Sequence, residues 1–334
     1  SSAASDVYKR QGVTSGDTSN DGSIVLTFTT GESTTNFVKS DISVSGGTLG
    51  TLNGSGTSYN ATLTPSGDAT YTVNVAADAL TDAAGNGNTA ATQFSWTYDG
   101  TDPSGFTTGA VTSVGGTVVS GYWNNTNTSL NIGVPIANDS TLTGGTLQLR
   151  VKVDSGSFVN LNSAYTIQSS DLSNTITRTV TAAELEAISG FTNGVVLTFT
   201  AILTDIANNT TTGTASGTNI MVDQSSPTIT IASSTSGVTS GSTTDDGSIV
   251  LTFTTGESTT NFVKSDITVS GGTLGTLNGS GTSYNATLTP SGDATYTVNV
   301  AADALTDAAG NGNTAATQFS WTYDGTDPSG FTTG

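Results

Sequence analysis

One block of this chain occurs twice. Residues 12–109 and 237–334 align without a gap and differ only at Asp17/Ser242, Ser19/Thr244, Asn20/Asp245 and Ser43/Thr268. A block repeated this faithfully must carry its own core and fold alike in both places, so the chain is a tandem array rather than one domain. Each copy ends in an acidic turn, Thr81-Asp-Ala-Ala-Gly-Asn-Gly-Asn88, then an alternating strand up to Tyr98, then an acidic exit, Asp99-Gly-Thr-Asp-Pro103. The same string returns at residues 306–328, and a looser version runs from Thr204-Asp-Ile-Ala-Asn-Asn209 to Asp223-Gln-Ser-Ser-Pro227. Three such endings mark three modules.

Within the repeated block the apolar residues recur with period two. Ile24, Leu26 and Phe28 share one face, as do Tyr59, Ala61 and Leu63, then Tyr71, Val73 and Val75, then Phe94, Trp96 and Tyr98, with polar residues between them. Segments of this kind, separated by Gly-, Asn- and Asp-rich turns, are strands with one face on a core and the other in water. About seven of them in so short a block predict an immunoglobulin-like β-sandwich.

The middle stretch differs in sequence but follows the same grammar. Leu147, Leu149, Val151 and Val153 alternate with polar residues, Asp154-Ser-Gly-Ser157 turns the chain back into a hairpin, and Val195 to Leu203 forms a late strand. Thr181-Ala-Ala-Glu184 ahead of Leu185 is a capping box and predicts one short helix. The expectation is all-β: tandem immunoglobulin-like β-sandwiches in an elongated array, with one short helix in the middle module. The modules span 12–100, 101–225 and 226–324, and 325–334 begins a further one. Residues 1–11 resemble the in-frame translation of a transposase adapter used in preparing sequencing libraries, and are read as a non-native scar. The first copy then lacks the leading strand that Thr228-Ile-Thr-Ile-Ala232 supplies to the second.

Composition narrows the chemistry. The chain has no Cys and no His, which removes disulfides, thiolate metal sites, the Ser/His/Asp triad and most zinc sites. With 26 acidic and 7 basic residues its net charge is -19, an unsuitable surface for nucleic acid. No apolar run reaches the length of a membrane span, so no membrane insertion is expected. The residues favour no enzyme: paired acids are plentiful, but they lie in turns between modules rather than in a cleft.

Those turns are the candidate site. In a seven-strand sandwich the loops at one pole face the end of the preceding module. Asp223, leaving the middle module, is therefore expected to meet Glu257, Asp307 and Asn311, and Asp99 and Asp102 to meet Asp139, Asp205 and Asn208. Clustered carboxylates with almost no Lys or Arg nearby call for a cation, and oxygen donors in irregular geometry suit calcium better than magnesium. The same residues also serve Asx turns and solubility, which is the plainer reading of them.

The block resembles bacterial Ig-like repeats of large surface adhesins and biofilm-associated proteins. The likeness rests on Glu32-Ser-Thr-Thr-Asn-Phe-Val-Lys-Ser-Asp-Ile-Ser-Val-Ser-Gly-Gly47, Gly54-Ser-Gly-Thr-Ser-Tyr-Asn-Ala-Thr-Leu-Thr-Pro65 and Ala79-Leu-Thr-Asp-Ala-Ala-Gly-Asn-Gly-Asn-Thr-Ala-Ala91. It implies extracellular sandwich repeats on the bacterial cell surface, with calcium (Ca2+) at joints in some members. Matching positions are Glu32 and Glu257, Asp82 and Asp307, Asn86 and Asn311. The function expected is a structural spacer whose partners are neighbouring Ig-like modules of the same chain and other matrix or surface components. The alternative is an accessory carbohydrate-binding module of a secreted enzyme, for which Tyr122 and Trp123 are the only adjacent aromatics off the core pattern.

Overall fold

In the computed structural model, residues 5–10 and 13–330 are described. The alternating segments become strands in three sandwiches. In the first, one sheet has the order Ser5–Arg10, Ile24–Thr34, Asn53–Thr64, Thr48–Leu49, and the facing sheet Thr18–Ser19, Phe94–Tyr98, Ala69–Val75, Ile42–Val44. Register follows the apolar pattern. Ile24 pairs with Leu63, Leu26 with Ala61 and Phe28 with Tyr59, while Tyr71 pairs with Trp96 and Val73 with Phe94. All ten of these side chains lie in one buried cluster, each large one worth about 1.5–3 kcal/mol on burial. Tyr98, expected on the same face, packs at the edge of the cluster and is partly buried.

The second copy repeats this arrangement from Ile229–Ser233 to Phe319–Tyr323 around Trp321. The middle module packs a sheet of Thr175–Thr181, Ser129–Pro135 and Val111–Val114 against a larger one built on Thr146–Val153 and Val196–Thr204. Val159–Asn160 folds back on Thr146–Val153 as the expected hairpin. The helix Ala182–Glu186 starts at the capping box, where the Thr181 backbone N–H donates to the Glu184 carboxylate at 2.8 Å. In each module an early short strand crosses to the second sheet and runs parallel to the last strand, as Thr18–Ser19 does beside Phe94–Tyr98. That shared crossing puts each exit acid, Asp99 or Asp223, at the pole where the next module begins.

The edge of the first module's sheet is occupied. The place of its leading strand is filled by Ser5–Arg10, antiparallel to Ile24–Thr34. The edge of the long strand offers main-chain N–H and C=O groups that an extended segment pairs with whatever its side chains, so the segment read as a scar completes the sheet. Residues 1–4, 11 and 12, and 331–334 of the further module, lie outside the described residues. No described helix is long and apolar enough to cross a membrane.

Candidate functional site: the acidic joints between modules

The second copy's leading pole is shaped by three local features. The strand Ile249–Thr259 breaks register between Thr254 and Thr259, a bulge that lifts Glu257 out of the ladder; the Thr255 hydroxyl donates to the Glu257 carbonyl at 2.7 Å. In the turn that follows Leu305, the Asp307 carboxylate accepts from the backbone N–H and the side-chain amide of Asn311, both at 2.9 Å. Beneath it the buried Asn313 amide accepts from the Leu305 N–H and donates to the Ala301 and Thr314 carbonyls, so the turn stands on a rigid base.

The middle module docks onto this turn. Asn311 Nδ2 also donates to the Asp223 carbonyl (2.9 Å), while its Oδ1 accepts from the Asn125 N–H (2.9 Å); Asn124 Nδ2 donates to the Ala309 carbonyl (2.7 Å). The approach is close enough that a Cβ on Gly310 would lie 2.9 Å from Thr117 Cγ2 and 3.0 Å from Val119 Cγ2. Docking brings Asp223, Glu257 and Asp307 together: one carboxylate oxygen from each lies within 4.8 Å of the others. Burial holds the Glu257 carboxyl above the usual carboxylate range, and the charges of Asp223 and Asp307 push the same way. Beyond the strand Ser5–Arg10, the described basic residues are elsewhere. Lys39 and Lys264 sit in 3₁₀ turns, Arg150 and Lys152 lie against Phe158, and Arg178 against Tyr165.

The first joint uses the same turn differently. Asp205 accepts from the Asn209 N–H and side-chain amide, and Asn209 Nδ2 reaches the Asp99 carbonyl, each at 2.9 Å. Asn20 supplies the remaining pair, its Nδ2 donating to Asn209 Oδ1 and its backbone N–H to the Ala207 carbonyl, both at 3.1 Å. Asp99 Oδ1 accepts from the Thr101 N–H, but Oδ2 is buried without a partner. Burial raises the Asp99 carboxyl; the Thr101 bond opposes this, and Asp205, Asp68 and Asp139 add to it. Asp99 and Asp139 both line a cleft of about 500 Å³ between the modules, flanked by Tyr98 and Ile206.

A family model described as the bacterial Ig-like domain matches residues 10–99 and 223–323. The chain belongs to the bacterial Ig-like domain family. No curated protein matches it. Among solved structures it is similar to a 1.5-MDa bacterial ice-binding adhesin (16% identity, 97% of each chain, TM-score 0.31) and to the FN1–FN3 domains of chicken CNTN1 (9%, 96% of this chain and 98% of that one, 0.24). A third is the C-terminal domain of the Streptococcus agalactiae AgI/II polypeptide BspA (10%, 64% and 99%, 0.28). These identities and scores add nothing to the family assignment.

Set against the expected sites of an Ig-like array, the second joint gathers Asp223, Glu257, Asp307 and Asn311. The first joint does not assemble its expected set. Asp102 is exposed; Asp139 caps the turn Ser140–Leu142, accepting from the Thr141 N–H and hydroxyl; and Asn208 is exposed at φ +74° while its neighbour Asn209 makes the contacts. The Asp-to-Asn spacing of four residues, common to Asp82/Asn86, Asp205/Asn209 and Asp307/Asn311, was the signal that singles out Asn209. Asn124 and Asn125 carried no such signal, because their role depends on the module they face. The aromatic pair behind the carbohydrate alternative is not exposed as a platform: Trp123 is fully buried and Tyr122 half-buried.

Proposed function

We propose that this chain is a spacer segment of a secreted bacterial surface adhesin or biofilm-matrix protein, and that calcium braces its second joint through Asp223, Glu257 and Asp307. The observation that supports this most directly is the meeting of three carboxylates from two modules with no Lys or Arg paired to them among the described residues. Two oxygens bound to one Ca2+ at about 2.4 Å lie at most about 4.8 Å apart, so the three acids fit a common ion. Carbonyl, amide and water oxygens would complete its shell. Calcium would supply the positive charge that makes three adjacent carboxylates tolerable across a module boundary. Near-identical modules add length at constant surface chemistry, and the partners are the neighbouring Ig-like modules and other matrix or surface components outside the cell.

The test is thermal unfolding and small-angle scattering of the full chain in excess chelator and in millimolar calcium. Calcium at about 100 times its Kd would add about 2.7 kcal/mol to the module it braces and straighten the particle. Glu257→Gln should remove most of that gain. Identical curves with and without calcium would overturn the proposal.

A further inference from the structure

Both joints read the Asp-x-x-x-Asn turn of the following module by the same three contacts. The Asn side-chain amide donates to the exit carbonyl of the preceding module, Asp99 or Asp223. The carbonyl two residues after the Asp, Ala207 or Ala309, accepts a hydrogen bond, and so does the Asn Oδ1. The orientation of the amide is not free, because Nδ2 also serves the carboxylate of its own turn. Oδ1 must therefore face a donor. In the second joint this is the main-chain N–H of Asn125, which any residue but proline would provide; in the first it is the side chain of Asn20.

Position 20 is one of the four at which the two copies differ: the second copy carries Asp245 there, exposed on its trailing pole. Two of the other three, Asp17/Ser242 and Ser19/Thr244, lie within three residues of it in sequence. An ionised carboxylate has no hydrogen to give, and set opposite Asn Oδ1 it places two acceptors face to face. The same trailing pole of the first module already holds a buried, unpartnered carboxylate oxygen on Asp99, whose counterpart in the second copy is Asp324.

We infer that residue 20 selects how a copy of this block holds the module after it. With Asn20 the turn of the middle module is held by direct hydrogen bonds. With Asp at that position, as in Asp245, the same turn is seated only when a divalent cation lies between the carboxylate and the Asn oxygen. The two copies thus share a fold but present different trailing poles. The inference shares with the proposed function the choice of calcium as the cation.

The chain has no Cys, so spin labels can be placed at will. Labels at Thr62→Cys and Val159→Cys report the first joint, and labels at Val159→Cys and Thr287→Cys report the second, all at exposed positions. Asn20→Asp is read beside the parent in chelator and in calcium, with Asn20→Ser as the variant that loses the amide without adding charge. The module should still fold, since the second copy has the same core with Asp245 in place. The expected result is that Asn20→Asp lowers the docked fraction of the first joint about tenfold relative to the parent in chelator, and that calcium closes the gap. Asn20→Ser should lose part of the docking in a way calcium does not restore. An Asn20→Asp joint as tight as the parent in chelator, or a gap that persists in saturating calcium, overturns the inference. Failure of calcium binding at Asp223, Glu257 and Asp307 would show separately in the second label pair.

Discussion

The leading poles of the two repeated modules have the same sequence and different surroundings. In the first copy Asp82 holds Asn86 just as Asp307 holds Asn311, with the carboxylate accepting from the N–H and the side-chain amide at 2.8 Å. There the turn faces solvent: Ala84, Gly85 and Asn86 are exposed, whereas Ala309, Gly310 and Asn311 are buried beneath the middle module. Asp82 is pulled below the usual carboxylate range, first by the Asn86 side-chain bond, while Glu257 at the docked pole is pushed above it by burial. The comparison separates what the turn does for its own module from what it does for a neighbour. Alone it is a self-capped loop; docked, it becomes one wall of an acidic interface.

The contrast can be broken most strongly at the asparagine. Asn311→Ala removes the donor to the Asp223 carbonyl and the acceptor of the Asn125 N–H, two part-buried bonds across the joint, so it should cost about 2 kcal/mol more than Asn86→Ala, which loses only the local pairing. Each module holds one tryptophan: Trp96, Trp123 and Trp321. Unfolding followed through Trp321 in a Trp96→Phe, Trp123→Phe background reads the second copy alone, and through Trp96 in a Trp123→Phe, Trp321→Phe background the first copy alone. Equal costs for the two substitutions would mean that the contacts across the joint contribute nothing.

A smaller effect is expected at the glycine of the turn. Gly85 and Gly310 both have positive φ, +86° and +90°, so alanine is strained in either. Only at Gly310 does the new methyl meet Thr117 and Val119; a Cβ on Gly85 has nothing within 4 Å. Gly310→Ala should therefore cost about 1 kcal/mol more than Gly85→Ala, the lower end of what overpacking does. The same fluorescence assay compares them.

The smallest difference is in pH dependence, and it has opposite sign at the two poles. The folded state holds a proton on Glu257 more tightly than the unfolded chain does. In chelator, stability should therefore fall as pH rises from the ordinary carboxylate range through the raised Glu257 value, and Glu257→Gln should flatten that slope. For Asp82 the folded carboxyl is lowered, so its contribution is present above the ordinary range and is lost as pH falls through the lowered value. Melting temperatures across this range, read per module, would show the two trends; parallel curves would remove the distinction between a free and a docked pole.

The strands were legible because their signal is local. Alternation at Ile24, Leu26 and Phe28, or at Leu197, Phe199 and Ala201, determines which face is buried wherever the strand is placed, and a one-residue slip would expose the whole set. The capping box at Thr181 and the turn linking Asp307 to Asn311 are equally local, since each is closed by bonds spanning three or four residues. Which acids meet across a boundary was legible only as far as the poles of a sandwich could be assigned. That was enough for Asp223, Glu257 and Asp307, but it misplaced the first joint by one residue at Asn208 and included Asp102, which stays in solvent. The sequence by itself determined three alternating sandwiches with acidic ends, because periodicity and turn chemistry act within a few residues. Only the tertiary structure decided that Asn124, Asn125 and Asn20 read the turns. Such contacts join residues 185 to 189 positions apart, and no local pattern records which surface will cover which.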